Sequence, residues 1–275
     1  MSSAGNAPAL GRHSARVARL RRIARREEKD LTVVDGAKFA AEMARFGVPI
    51  VELYGDAEAL AAAAAEPALR RVEEAGRAYL LDESTLAHVA PTRQTQGLLA
   101  VVACPAVDLR CEGIAIYLDR VQDPGNVGAV IRCAAALGAD GVACSPGCAD
   151  PFSPRAVRAS AGHSLRLAVQ PDARFDPLAA AFRRAGGTVA GLAGAAGLTL
   201  ARWRPRLPLL LALGNEGQGL APEVAAGCEQ IVGIPLGGEV ESLNVAVAAG
   251  VVLASLAGLA GAPILDSDGK RGRHR

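Results

Sequence analysis

Three short stretches carry the groups of this chain that could do chemistry together. DPGNVGAVIR holds Asn126 and Arg132, LGNEGQGL holds Glu216, and IPLGGEVESLNV holds Ser242 and Asn244. Each is a polar turn directly after an apolar run, and glycine-rich turns after strands commonly cradle a nucleotide-like ligand with main-chain groups. Three such turns imply one shared pocket. Taken singly they have plainer readings. Ser242 and Asn244 suit the N-cap of a following helix, where their side chains would satisfy free N–H groups, and Glu216 suits a turn. GNEGQG also invites comparison with a dinucleotide fingerprint. Its glycines, however, run G-x-x-G-x-G rather than G-x-G-x-x-G, and only about sixty residues follow Gly214, too few to complete a doubly wound domain. A nucleotide-type ligand would have to sit among C-terminal loops folded back on one another.

The elements that must position these turns read as alternating apolar strands and helices. The strand IAIYLDRV over 114–121 leads into DPGN, where Pro124 presets one backbone angle and Gly125 permits a positive one. Asn126 is expected to open a helix over 127–137. Arg132 lies about 120° from Asn126 around that helix, so only a long side chain bridges the gap. The strands GVACS, LRLAV, TVAGLA, LLLALG and IVGIPL, with helices over 154–161 and 177–185, near Pro222 and after Asn244, complete an α/β domain with a mostly parallel sheet. Upstream, LTVVDG, a helix over 37–46, VPIVELYG, a helix over 57–65, AYLLD and QGLLAVV alternate at short spacing. They form a small α/β domain with no catalytic constellation. With CPAVDLRCEG as linker, the expected division is 1–105 for a basic helix and small domain, 112–263 for the second domain, and 264–275 for a polar basic tail.

The chain has 275 residues, enough for two modest cores. It is 51% hydrophobic but only 3% aromatic, so alanine, valine and leucine must do the packing. Net charge is +2, yet residues 1–30 hold eight basic side chains against three acidic ones. Within them Arg19, Arg22 and Arg26 recur at three- and four-residue spacing, one face of a helix over 15–29, and are candidates for gripping RNA phosphate. Arg155, Arg158 and Arg166 flank His163, itself read as a structural histidine at a helix end, and could extend that basic surface. The six cysteines lack a C-x-x-C pair or a histidine at zinc spacing, so reduced thiols and no metal are expected. Val245 to Ala262 is an eighteen-residue run in which only Ser255 is polar. Ten of its residues are Ala or Gly, which favours close helix packing over a membrane span. The first residues lack the apolar segment of a signal peptide, and a cytoplasmic protein is expected.

The three stretches resemble the signature motifs of the SPOUT superfamily, in its TrmH or SpoU branch of RNA ribose 2′-O-methyltransferases. DPGNVGAVIR matches the first at Asn126 and Arg132, LGNEGQGL the second at Gly214 and Glu216, and IPLGGEVESLNVAVAAG the third almost throughout. The resemblance covers residues 114 to about 260. It implies an α/β fold whose C-terminal SPOUT domain has a parallel sheet and a deep trefoil knot, with S-adenosyl-L-methionine held by the knot loops, and a homodimer. It implies cofactor contacts, largely through the main chain, at Leu213, Gly214, Asn215, Gly217, Ile234, Pro235, Leu236 and Leu243. Asn126, Arg132, Glu216, Ser242 and Asn244 then remain for catalysis. The resemblance offers Arg132 as general base, but guanidinium groups stay protonated at working pH. A bidentate clamp on a substrate phosphate, also stabilising a developing alkoxide, suits this residue better.

The first domain is similar, less sharply, to the substrate-binding domain that precedes the knot in many relatives, with Asp35 of LTVVDG in the position of an acidic residue. FGVPIVELYGD is similar to a strand of ribosomal RNA methyltransferases that confer thiopeptide resistance. The expected function is S-adenosyl-L-methionine-dependent methylation of a ribose 2′-hydroxyl in structured RNA, ribosomal RNA favoured over transfer RNA. The alternative is an RNA-binding or ribosome-assembly protein that keeps the fold without activity. Few aromatics imply recognition by charge and shape more than by base stacking.

Overall fold

The computed structural model describes residues 7–91, 95–106, 108–194, 196–215, 217–238, 240 and 242–256. The chain forms two compact units, Met1–Ala106 with Phe152–Arg158, and Val107–Pro151 with Ala159–Arg275. The first segment of the first unit ends at Ala106, within CPAVDLRCEG. The return of Phe152–Arg158 to the first unit is a non-local event that no local pattern announces.

In the first unit α1 (Ala15–Ala24) starts from Ser14, whose hydroxyl caps Val17 N, and buries the stripe Val17, Leu20 and Ile23. Then come β1 (Leu31–Asp35), α2 (Ala37–Arg45), β2 (Ile50–Gly55), α3 (Ala57–Ala63), α4 (Pro67–Glu74), β3 (Ala78–Leu80), α5 (Glu83–Val89) and β4 (Leu98–Ala103). The sheet order is β1-β4-β2-β3, with β4 antiparallel to both β1 and β2, and β2 parallel to β3. Asp82 caps α5 through Thr85 N at 2.8 Å. Tyr54 packs on Tyr79 with ring centroids 5.1 Å apart, inside a core that α1 and α5 close.

Helix α1 stops five residues short of the expected Lys29 because Arg26 adopts a left-handed φ of 63°. Arg26 is only 6% exposed. Its guanidinium donates to the carbonyls of Leu31 and, at 2.8 Å, Lys29, and lies over the Phe152 ring. The expectation that Arg26 shares an RNA-facing helix surface is corrected: the chain turns away before reaching it, and the side chain stitches the turn together.

In the second unit β5 (Ile114–Leu118), α6 (Pro124–Ala136), β6 (Gly141–Cys144), α7 (Pro154–Ala159, assigned to the first unit as far as Arg158), β7 (Ala168–Gln170) and α8 (Phe175–Arg184) come first. They are followed by β8 (Thr188–Leu192), β9 (Leu198–Thr199), β10 (Leu209–Leu213), α9 (Pro222–Ala226), β11 (Gln230–Gly233) and α10 (Val245–Leu256). The seven strands order as β7-β6-β5-β10-β8-β11-β9, every pairing parallel. Strands β5 and β10 are buried along their whole length, as continuous apolar runs in a parallel sheet require. Among the described residues no helix is long and apolar enough to cross a membrane. The rest of the apolar run, 257–262, and the expected tail lie outside those residues.

Candidate active site

A parallel sheet delivers the C-terminal ends of its strands to one edge, where successive loops can meet. Three of those loops meet here. The turns after β8, β10 and β11 and the entry to α10 border a cavity of ≈ 200 Å³. Its wall includes Leu213, Gly214, Asn215, Ile234, Leu236 and Leu243, six of the eight expected cofactor contacts, and Ser242. Gly217 and Pro235 do not border it. Leu192, Ala193 and Gly194 after β8, with Gly219, Val245 and Ala248, complete the wall. Leu192, Ala193 and Gly194 carry no polar side chain to draw attention, and the signal that finds them is topological: β8 lies beside β10, so its exit must flank the same space.

The first stretch is built on α6. Its helix begins at Pro124 rather than Val127, because Asp123 is the N-cap, accepting Asn126 N at 3.0 Å, and proline fits the first turn. Asn126 is thereby held in that turn. Its Oδ1 accepts a 3.0 Å hydrogen bond from Asn244 Nδ2, across 118 residues of sequence. Asn244 in turn caps α10, its Oδ1 accepting from Ala246 N at 2.9 Å and Val247 N at 3.3 Å. One side chain thus both caps α10 and meets Asn126. The α6 and α10 helices pack closely enough for Cys133 Sγ to reach Ala246 O at 3.8 Å.

The second stretch forms a closed clasp. Asn215 and Gly219 exchange backbone hydrogen bonds of 3.1 and 2.8 Å. Asn215 Oδ1 accepts from Gly217 N and Gln218 N, and its Nδ2 donates to Arg120 O at 3.0 Å. Gly214 must be glycine, since a Cβ there would lie 2.2 Å from Gly219 C. Asp119, only 3% exposed, accepts Ala221 N at 2.6 Å and also pairs with Arg120, whose own N–H bonds Ser145 Oγ. The end of β5 and the clasp after β10 are therefore tied by a carboxylate that motif spacing did not single out. A buried acidic residue closing an apolar strand, IAIYLD, was the available signal.

Arg132 is exposed on α6 and does not border the cavity. Glu216 lies outside the described residues. Arg19 and Arg22 are engaged with carboxylates, Arg19 with Glu28 and Glu52 and Arg22 with Glu28. Arg155 and Arg158 are exposed on α7, and His163 begins a short 3-10 turn.

Beside this network, Cys148 accompanies Ser145 at 3.7 Å. The Cys144 thiol, hydrogen-bonding to it, is the main cause that lowers its pKa to about 7 despite partial burial. Burial pushes the Cys228 thiol up to about 11. Among the described residues no cluster of metal-ligating side chains occurs.

An all-parallel α/β unit with a glycine-edged, apolar cavity at its strand ends defines a nucleotide-type cofactor binder. The profile of the SpoU rRNA Methylase family matches residues 113–254, and the chain belongs to that family. A tRNA/rRNA methyltransferase of Synechocystis, itself uncharacterized, is 35% identical over 190 residues, 67% of this chain and 68% of its own. The SpoU methyltransferase AviRb from Streptomyces viridochromogenes, solved in complex with AdoMet, superposes with a TM-score of 0.77 at 25% identity over 90% of this chain and 98% of its own. The AdoMet-bound rRNA methyltransferase from Sinorhizobium meliloti gives 0.76 at 25% identity, over 93% and 99%.

Proposed function

We propose that the protein transfers a methyl group from S-adenosyl-L-methionine to a ribose 2′-hydroxyl of structured RNA, ribosomal RNA in preference to transfer RNA. The observation that carries this reading is the Asn126–Asn244 hydrogen bond. It joins two of the three polar stretches beside a cavity whose wall includes both neighbours of Asn244, Leu243 and Val245. The cavity fits the cofactor by its chemistry. Main-chain groups at Gly194, Gly214 and Gly219, bare of side chains, suit the edges of adenine, and Leu192, Leu213, Ile234 and Leu243 supply apolar walls.

The cofactor supplies an electrophilic methyl group on a sulfonium. The chain's task is placement, which alone provides a large share of such a rate enhancement. Asn126, oriented by Asn244, and Ser242 are the polar groups suited to aligning the ribose hydroxyl, with Glu216 as a further candidate. Arg132, exposed on α6, suits a substrate phosphate that brings the hydroxyl in line.

The proposal extends to a trefoil knot and a homodimer. The chain passes from β8 to the far edge at β9, returns to insert β10 between β5 and β8, then crosses again to β11, an order that supports threading of the last segment. Val247 and Val251, one turn apart on α10 and 52% and 40% exposed, support a second copy against that helix.

The test is incubation with methyl-labelled S-adenosyl-L-methionine and separate pools of ribosomal and transfer RNA, followed by nuclease digestion. Label on ribose in the ribosomal pool is the expected outcome. Label on a base refutes the 2′-hydroxyl, and RNA binding without label returns the inactive-binder alternative. Arg132→Lys is expected to lower turnover at least about tenfold by losing the bidentate fork. Near-unchanged turnover sinks the clamp.

A further inference from the structure

The two flanks of α1 differ in what faces their arginines. Measured around the helix from the buried stripe of Val17, Leu20 and Ile23, Arg16, Arg19 and Arg22 lie about 40, 100 and 160° to one side. Arg21 and Arg25 lie about 100 and 140° to the other. On the first flank the charges are consumed within the unit. Glu52 takes Arg16 and Arg19, Glu28 takes Arg19 and Arg22, and the Arg16 guanidinium also sits 4.4 Å from the Tyr79 ring centroid.

The second flank gathers cations. Helix α5 packs beside α1, and its His88 is bonded through Nδ1 to Arg12 Nη2 at 3.1 Å. Partial desolvation, then Arg12, Arg21, Arg25 and His13 in that order, lower the pKa of His88. These five side chains therefore share one neighbourhood, and no carboxylate acts on His88 among those causes. Arg12, His13, Arg25 and His88 are exposed and Arg21 is half-buried. Among the described residues no carboxylate pairs with Arg12, Arg21 or Arg25.

We propose that this second flank, Arg21 and Arg25 with Arg12, His13 and His88, is where the first unit holds the phosphate backbone of its RNA. The inference rests on the RNA-modifying reading above and moves the contact away from Arg19, Arg22 and Arg26. Unneutralised guanidinium groups release counterions from a polyanion when they bind it, whereas arginines already paired with glutamates gain little. Guanidinium forks suit phosphate oxygens, and this patch needs no aromatic platform.

The test is filter binding of end-labelled total ribosomal RNA to the full-length protein over a series of salt concentrations, with cofactor affinity measured separately by calorimetry. The double variant Arg21→Ala/Arg25→Ala is expected to weaken RNA binding about tenfold and to reduce the slope of log K against log salt by about 1.4 to 1.8. Its cofactor affinity and melting temperature should match the parent. Arg22→Ala, on the paired flank, should change RNA affinity less than about twofold.

Parent-like RNA binding by the double variant, or an equal loss in Arg22→Ala, overturns the proposal. So does retention of the parent, but not the double variant, on phosphatidylglycerol vesicles with RNA binding untouched, which would make the flank a membrane contact. A parent that binds cofactor but no RNA refutes instead the RNA reading beneath it, and the two failures are told apart by the parent alone.

Discussion

Glu52 and Asp119 are both carboxylates held under one tenth exposed, 7% and 3%, one in each unit, and their partners differ in kind. Glu52 is ringed by side chains: Arg16, Arg19 and the Tyr54 hydroxyl, which donates to it at 2.8 Å. Burial, then that bond, push the Tyr54 phenol well above its ordinary range. Asp119 holds main chain, the Ala221 N–H that follows the clasp after β10. The first carboxylate ties helix α1 to the mixed sheet. The second anchors the loop after β10, which borders the cavity. Strand direction underlies the contrast. All loops at one edge of the parallel sheet can pool their polar groups, while antiparallel neighbours send theirs to opposite ends.

The sharpest way to break this contrast is Gly214→Ala. The new methyl would collide with backbone rather than with a side chain able to move. Cofactor affinity should fall about 100-fold or more and stability by about 1–3 kcal/mol, read by calorimetry and thermal melting. An unchanged affinity would mean the clasp is not part of the cofactor site.

Asp119→Ala is expected to come next. An unsatisfied Ala221 N–H costs about 1–3 kcal/mol, seen as a cofactor KM raised about 10- to 100-fold. The corresponding change in the first unit, Glu52→Gln, should lower stability by about 1–2 kcal/mol, discounted because both arginines are partly exposed, and leave cofactor affinity alone. If Glu52→Gln weakens the cofactor as much as Asp119→Ala does, the division of labour between the two carboxylates is wrong.

The smallest effect is on reactivity alone. The thiolate is the nucleophile, so alkylation speeds up as pH rises through a thiol's pKa. Iodoacetamide should label Cys148 with a midpoint at about 7 and Cys228 only towards about 11, resolved by peptide mass mapping. Coincident midpoints would dissolve the hydrogen-bonded cluster around Ser145.

Much of this was legible in the residues. IAIYL and LLLAL announce buried parallel strands, and two of the three polar stretches, with six of the eight residues expected to touch a cofactor, border one cavity. What escaped was non-local or masked by a competing local signal. DP at 123–124 read as a turn, although aspartate before proline is equally an N-cap before a helix's first turn. Helices α4 and α5 carried the start signals Pro67 and Asp82 but are too short to show periodicity. Helical spacing points Arg26 outward because it carries no sign of the left-handed turn after α1, and the Leu192–Gly194 wall stays silent because apolar loops leave no chemical trace.

The central place of β10 has a consequence for synthesis on the ribosome. Residues 188–192 are made about twenty positions before one sheet neighbour, 209–213, and about forty before the other, 230–233. Throughout that interval β8 has two unsatisfied edges, and β5 offers one more in the apolar slot that β10 will fill. At translation rates of about 5–20 residues per second the exposure lasts roughly one to several seconds, long enough for holdase capture or for pairing with another nascent chain. Polysomes stalled once residues 188–192 have left the exit tunnel but before 209–213 have done so should therefore be richer in bound chaperone than those with 209–213 and 230–233 also outside it.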